Sequence, residues 1–128
     1  MERHEFTFDW LSRDEAIVDS YIRDPYCGAV CTAGFYDNLL YGIKQIQKSE
    51  NIMRIPKKMP VLLLGGDMDA VGNYGKNVVR LAEIYRNAGL QNVTCKIYAG
   101  ARHELVNEIN KKEVMGNIVE WLDQIMLK

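Results

Sequence analysis

Two acids and a histidine stand where short apolar runs give way to glycine-containing loops. Asp67 and Asp69 follow the run 61–64 and Gly65-Gly66, and His103 follows the run 93–99 and Gly100-Ala101-Arg102. Carboxylate and imidazole are the pair that handles a proton in nucleophilic catalysis: the acid orients the ring and stabilises the imidazolium, while the ring takes the proton and returns it. Plainer roles exist for each. Asp67, directly after its apolar run, could brace the loop through backbone amides, and His103 taken alone reads as a hydrogen-bonded surface histidine. A nucleophile has no obvious bearer. The three serines are Ser12, Ser20 and Ser49, and none has the flanking glycines of a strained strand-to-helix elbow. Cys27 and Cys31 lack that setting too, and no second pair or suitably spaced histidine joins them into a four-ligand metal set. Gly65-Gly66 and Gly72-x-x-Gly75 are not a dinucleotide fingerprint, since no G-x-G-x-x-G opens the following helix.

Bringing Asp69 and His103 together is the task of the segments between them. Val61-Leu62-Leu63-Leu64 is a continuous apolar run and reads as a strand buried on both faces; residues 93–99 read as a second strand. Between them Val78, Leu81, Ala82, Ile84, Tyr85 and Ala88 recur at helical spacing. A right-handed strand, helix, strand crossover makes the two strands parallel. Both loops then open at the carboxyl edge of the sheet, where open α/β sheets place their sites.

Ahead of Pro56 the chain reads as helical and irregular. Ser12 with Glu15 three residues on suggests a capping box, opening a helix through Ala16, Ile17, Val18 and Tyr21 that stops before Asp24-Pro25. Residues 27–32 read as loop, and a helix from about Ala33 carries Phe35, Leu39, Leu40, Ile43 and Ile46. Residues 51–59 form a basic, proline-bounded connector. After His103, a helix from about Lys111 carries Val114, Ile118, Trp121, Leu122 and Ile125 at spacings suited to covering one sheet face.

Composition narrows the class. With 128 residues, 48% hydrophobic and 26% charged, the chain can build one modest core. A net charge of −1 gives no electrostatic reason to expect nucleic acid or an anionic membrane as partner. No apolar run approaches the ~20 residues of a membrane span, and Met1-Glu2-Arg3-His4-Glu5 leads into no signal-peptide core, so the cytoplasm is the expected location. Cys27, Cys31 and Cys95, an odd number, suit free thiols better than a disulfide framework.

The stretch Pro60-Val61-Leu62-Leu63-Leu64-Gly65-Gly66-Asp67-Met68-Asp69-Ala70-Val71-Gly72, the following Tyr74-Gly75-Lys76, and Tyr98-Ala99-Gly100-Ala101-Arg102-His103-Glu104 closely resemble the α/β-hydrolase superfamily. Within it the nearest branch is lysophospholipase or monoacylglycerol-lipase-like, also called the serine aminopeptidase type. Phe8-Asp9-Trp10-Leu11-Ser12-Arg13-Asp14 and Asp24-Pro25 resemble the cap segment of the same branch. The resemblance implies an α/β chain with a partial α/β-hydrolase fold, α-α-β-α-β-α around a short parallel sheet. Residues 1–59 would be a helical cap-like segment and 60–128 the C-terminal βαβα part of the hydrolase core.

That family orders its triad as nucleophile, acid and base, with the serine on an upstream G-x-S-x-G elbow. By motif Asp69 matches the acid and His103 the base; the early strands, the nucleophile and the oxyanion hole have no counterpart in these residues. Ala70 stands where relatives commonly have proline, which bears on loop stiffness more than on chemistry. Glu104 is expected to serve the loop or a cap. The resemblance also implies that Phe6, Phe8, Trp10, Phe35 and Tyr36 could line an acyl-chain pocket, although plain packing accounts for them equally well. The expected function is the C-terminal fragment of a serine hydrolase acting on lipid-like or other small carboxylic esters, inactive alone and needing no metal or organic cofactor. Alternatives are a non-catalytic interaction module and one half of a split enzyme. An unpaired strand edge further suggests a homodimer, or a complex with an N-terminal half.

Overall fold

The computed structural model describes residues 7–127. The chain runs α1 (Glu15–Arg23), α2 (Ala33–Ile46), α3 (Ser49–Met53), β1 (Val61–Gly66), α4 (Lys76–Asn87), β2 (Val93–Tyr98) and α5 (Lys111–Met126), with a 3-10 turn, Leu105–Asn107, before α5. The element order follows the periodicities, with α3 and the 3-10 turn added where the sequence pattern is too short to declare a helix. Among the described residues no helix is long and apolar enough to cross a membrane.

β1 and β2 pair in parallel, from Val61 opposite Val93 to Gly66 opposite Tyr98. Alternation divides their side chains between two helices. Leu62, Leu64, Thr94 and Lys96 lie on the face that α5 covers with Asn117, Glu120 and Trp121, while Gly65 and Ile97 lie on the other, against Val78 of α4. Tyr98, Ala101 and Val114 form the buried core cluster, with Leu64, Leu105 and Ile118 packed around them. Polar ends are tied off at the rim of this layer: Trp121 Nε1 donates to Thr94 Oγ1 (3.3 Å) and Asn117 Nδ2 to Tyr98 Oη (3.2 Å).

The start of α1 differs from the sequence reading. Asp14, not Ser12, is the N-cap, its carboxylate accepting from Ala16 N at 3.2 Å. Ser12 is buried instead; its hydroxyl donates to Asn107 O (2.8 Å) and accepts from Asp14 N (2.9 Å). Both side chains suit a cap, so local preference could not choose between them; a partner 95 residues away in sequence settles the matter. At the other end the helix stops where expected, with Asp24 as C-cap.

α2 has a good start, Thr32 Oγ1 accepting from Phe35 N at 3.2 Å, but it contains no buried residue. Phe35, Tyr36, Leu39, Leu40, Tyr41 and Ile46 are all exposed. The whole chain presents 9507 Å² to solvent, against roughly 6,900 Å² for a closed globule of 14.7 kDa. Much apolar surface therefore stays uncovered, and Val61 to Leu64 of β1 are only partly buried.

Gly66 ends β1 against the loop that carries the histidine. A Cβ there would run into the backbone carbonyl of Ala101, with Arg102 O also within contact, and backbone on both sides cannot swing away as a side chain could. Gly66→Ala is expected to lower stability by about 2 kcal/mol or more, read as a reduced midpoint in urea denaturation with an unchanged slope.

Candidate active site

Asp69 sits in the loop after β1. Its Oδ1 accepts from Val71 N (3.0 Å), and its own carbonyl accepts from Tyr74 N (2.7 Å), closing the loop tightly. Asn73 and Tyr74 are held at φ 51° and 56°, left-handed values that cost non-glycine residues energy and that cluster where a loop is over-determined. At Gly72 a Cβ would lie 2.8 Å from Asp69 Oδ2, so glycine leaves room for the carboxylate. Asp69 is 8% exposed.

His103 follows β2 at the same edge. Its Nδ1 lies 3.2 Å from both Asp69 oxygens. The imidazole is partly open to solvent, and the Trp10 ring packs on it with centroids 5.0 Å apart and a tilt of 54°. Asp67 goes elsewhere: its Oδ1 accepts from Gly100 N at 2.6 Å, the loop-bracing role, which ties the two loops to one another. Glu104 accepts from Asn107 Nδ2 (2.7 Å) within the 3-10 turn and takes no part in the pair. With Nδ1 directed at a carboxylate, the neutral ring carries its proton on Nδ1, leaving Nε2 with a lone pair for a proton from elsewhere.

The aromatic residues divide. Phe8 packs on Tyr21 (5.0 Å), Trp10 on His103, and Phe35 on Tyr36 (5.5 Å); Phe6 lies outside the described residues.

A family model described as serine aminopeptidase, S33, matches residues 3–110. The chain belongs to the serine aminopeptidase S33 family of α/β-hydrolases. Solved structures that share its fold include two hydrolases. One is a highly thermostable carboxyl esterase from Bacillus coagulans in complex with glycerol, at 27% identity and TM-score 0.80, and the other a lipase in open form, at 25% identity and TM-score 0.85. Each comparison covers 98% of this chain and 41% of that chain, so this member spans less than half the length of those hydrolases and has a partial α/β-hydrolase fold. No curated protein matches the chain.

One residue bonded to the loop that carries His103 escaped the sequence reading. Glu108 is fully buried and accepts from four donors: Arg102 N (2.7 Å), Arg13 Nε (2.8 Å), Arg13 N (3.2 Å) and Ile109 N (3.2 Å). A glutamate in a loop usually reads as solvated. Its sequence neighbours, Asn107 and Ile109, carry no signal of burial. Burial by itself would push the Glu108 carboxyl up, but the hydrogen bonds from Arg102 and from the side chain and backbone of Arg13 outweigh it and hold the carboxyl below its ordinary value of 4.5.

A carboxyl depressed in the folded state stabilises the fold fully above its unfolded value and loses that contribution as pH falls toward the folded one. Stability should therefore drop from about pH 5 downward. The exposed Glu113, lowered chiefly by Asn110 and then by Lys96, adds to the drop in the same direction. In Glu108→Gln the drop should become shallower, and stability at neutral pH should fall by about 3 kcal/mol because Arg13 loses a buried partner. Urea titrations of both proteins between pH 3 and 7 check this.

Proposed function

We propose that this chain is the acid- and base-bearing portion of a serine hydrolase acting on carboxylic esters. The observation that carries the reading is His103 Nδ1 within 3.2 Å of both Asp69 oxygens, at the carboxyl edge of the sheet. In this reading Asp69 orients the ring and stabilises imidazolium. His103 Nε2 takes the proton of a serine hydroxyl as that oxygen attacks the ester carbonyl, then delivers it to the departing alcohol; water reverses the sequence to free the acid. The serine and the oxyanion donors come from residues beyond these 128, since none of Ser12, Ser20 or Ser49 stands on a glycine elbow.

The exposed aromatic and aliphatic face of α2 favours a lipid-like ester, of the lysophospholipase or monoacylglycerol kind, over a small polar one. An N-terminal half of the hydrolase fold is the partner that fits the open edge of β1 and the surface left uncovered. A second copy of the chain is the other occupant such a surface admits. The three free thiols suit a reducing, cytoplasmic setting.

The test uses a fluorophosphonate probe and a p-nitrophenyl ester. The chain alone should neither label nor turn over. Mixed with an N-terminal hydrolase half carrying the serine elbow it should gain turnover, and Asp69→Asn should then cost roughly 10⁴-fold in kcat. Turnover by the chain alone, or turnover in the mixture that His103→Ala leaves untouched, would overturn the reading. Sedimentation of the chain alone at micromolar concentration tells the two occupants apart: a stable dimer assigns the surface to a second copy.

A further inference from the structure

The loop bearing His103 is clamped from one side by residues 9–13, which run along it as a strap. His103 N donates to Trp10 O (3.3 Å) and Glu104 N to Leu11 O (2.8 Å). The Arg102 guanidinium donates to the carbonyls of Asp9 and Ser12. Ser12 Oγ reaches Asn107 O (2.8 Å), and Arg13 reaches Asn110 Oδ1 (3.1 Å) while its guanidinium lies over Gly100. The strap also delivers the Trp10 ring to the face of the imidazole. Two successive peptide groups leading into the histidine are held in this arrangement, the Arg102 amide by Glu108 and the His103 amide by Trp10.

One side chain joins the strap to the loop through charge. Glu108 binds Arg13 of the strap through its backbone amide and its guanidinium, and binds the Arg102 amide, one residue from the histidine, through the same Oε1 that accepts from Arg13 N. Its negative charge is buried and compensated by donors on both segments, so neither can shift without leaving a buried carboxylate short of a partner.

We propose that Glu108 is a positioning residue for the His103 imidazole, acting through Arg102 and the strap 9–13 to hold Nδ1 on Asp69. Glu108 touches no reacting atom. Its work is to fix the peptide that precedes His103 and the segment that packs on its ring, which is what a pair needing sub-ångström placement requires of its surroundings. The proposal rests on the reading of Asp69 and His103 as acid and base.

The experiment follows the imidazole itself in the ¹⁵N-labelled chain. In the native protein the neutral His103 ring should be a single Nδ1–H tautomer. Glu108→Gln keeps the shape and removes the charge. It should leave the methyl signals of Val114 and Ala101 in place, speed exchange of the Arg102 amide by roughly tenfold or more, and turn His103 into a mixture of tautomers. Should that variant not fold, Arg13→Lys replaces the two-donor grip with a point charge, and in the folded protein the same two signals should move in the same direction.

A folded Glu108→Gln, or a folded Arg13→Lys where the first is unfolded, with His103 still wholly Nδ1–H would overturn the proposal and leave Glu108 a structural anchor only. Asp69→Asn separates the two levels of the argument. If it leaves the tautomer unchanged, the Asp69–His103 pairing itself fails. If it shifts the tautomer while the Glu108 and Arg13 variants do not, only the positioning role fails.

Discussion

Parallel pairing of β1 with β2 is the constraint on which the rest depends. Because the strands run the same way and stay in register through Gly66 and Tyr98, both leave the sheet at one edge, and the loops that follow have to share the space above it. Gly66 makes the sharing possible by having no Cβ to meet the carbonyl of Ala101. Asp67 then bonds to Gly100 across the gap, and Asp69 and His103 face each other one step further out. Register, a glycine and one backbone-directed carboxylate together place two side chains 34 positions apart at hydrogen-bond distance.

Helices secure this edge unequally. α4 and α5 cover the two faces of the sheet, and α5 contributes Val114 to the core cluster that also holds Tyr98 and Ala101, the residues at the base of the histidine loop. A two-stranded sheet is marginal in water without such cover. Among the described residues α2 has no comparable cover, and its aromatic and aliphatic side chains are exposed. The chain spans 41% of the length of those two structures, and its buried core cluster lies at the base of the loop that carries His103.

The buried charge of Glu108 adds a second kind of constraint. Apolar packing around Val114 is non-directional, whereas a carboxylate with four donors fixes distances and directions. The segment ahead of α1 is thereby fastened to the loop after β2, although Arg13 and Glu108 are 95 positions apart in sequence.

What the sequence determined by itself is whatever depends on near neighbours. A continuous apolar run set β1, the run 93–99 set β2, the spacing of Val78 to Ala88 set α4, and the parallel crossover followed from having a helix between the strands. The edge at which Asp69 and His103 meet was legible for the same reason, and the family motif separated Asp69 from Asp67. Tertiary structure decided the rest. Ser12 has every local qualification of a cap and is instead a buried link to Asn107, because the 3-10 turn lies within reach of its hydroxyl. Glu108 stands out only once Arg13 and the Arg102 amide converge on it, and Trp10, open in sequence between an acyl-chain pocket and plain packing, lies on the imidazole because the strap sets it there. Each depends on a contact between segments far apart in the chain, and periodicity and capping rules carry no information about which distant residue will arrive.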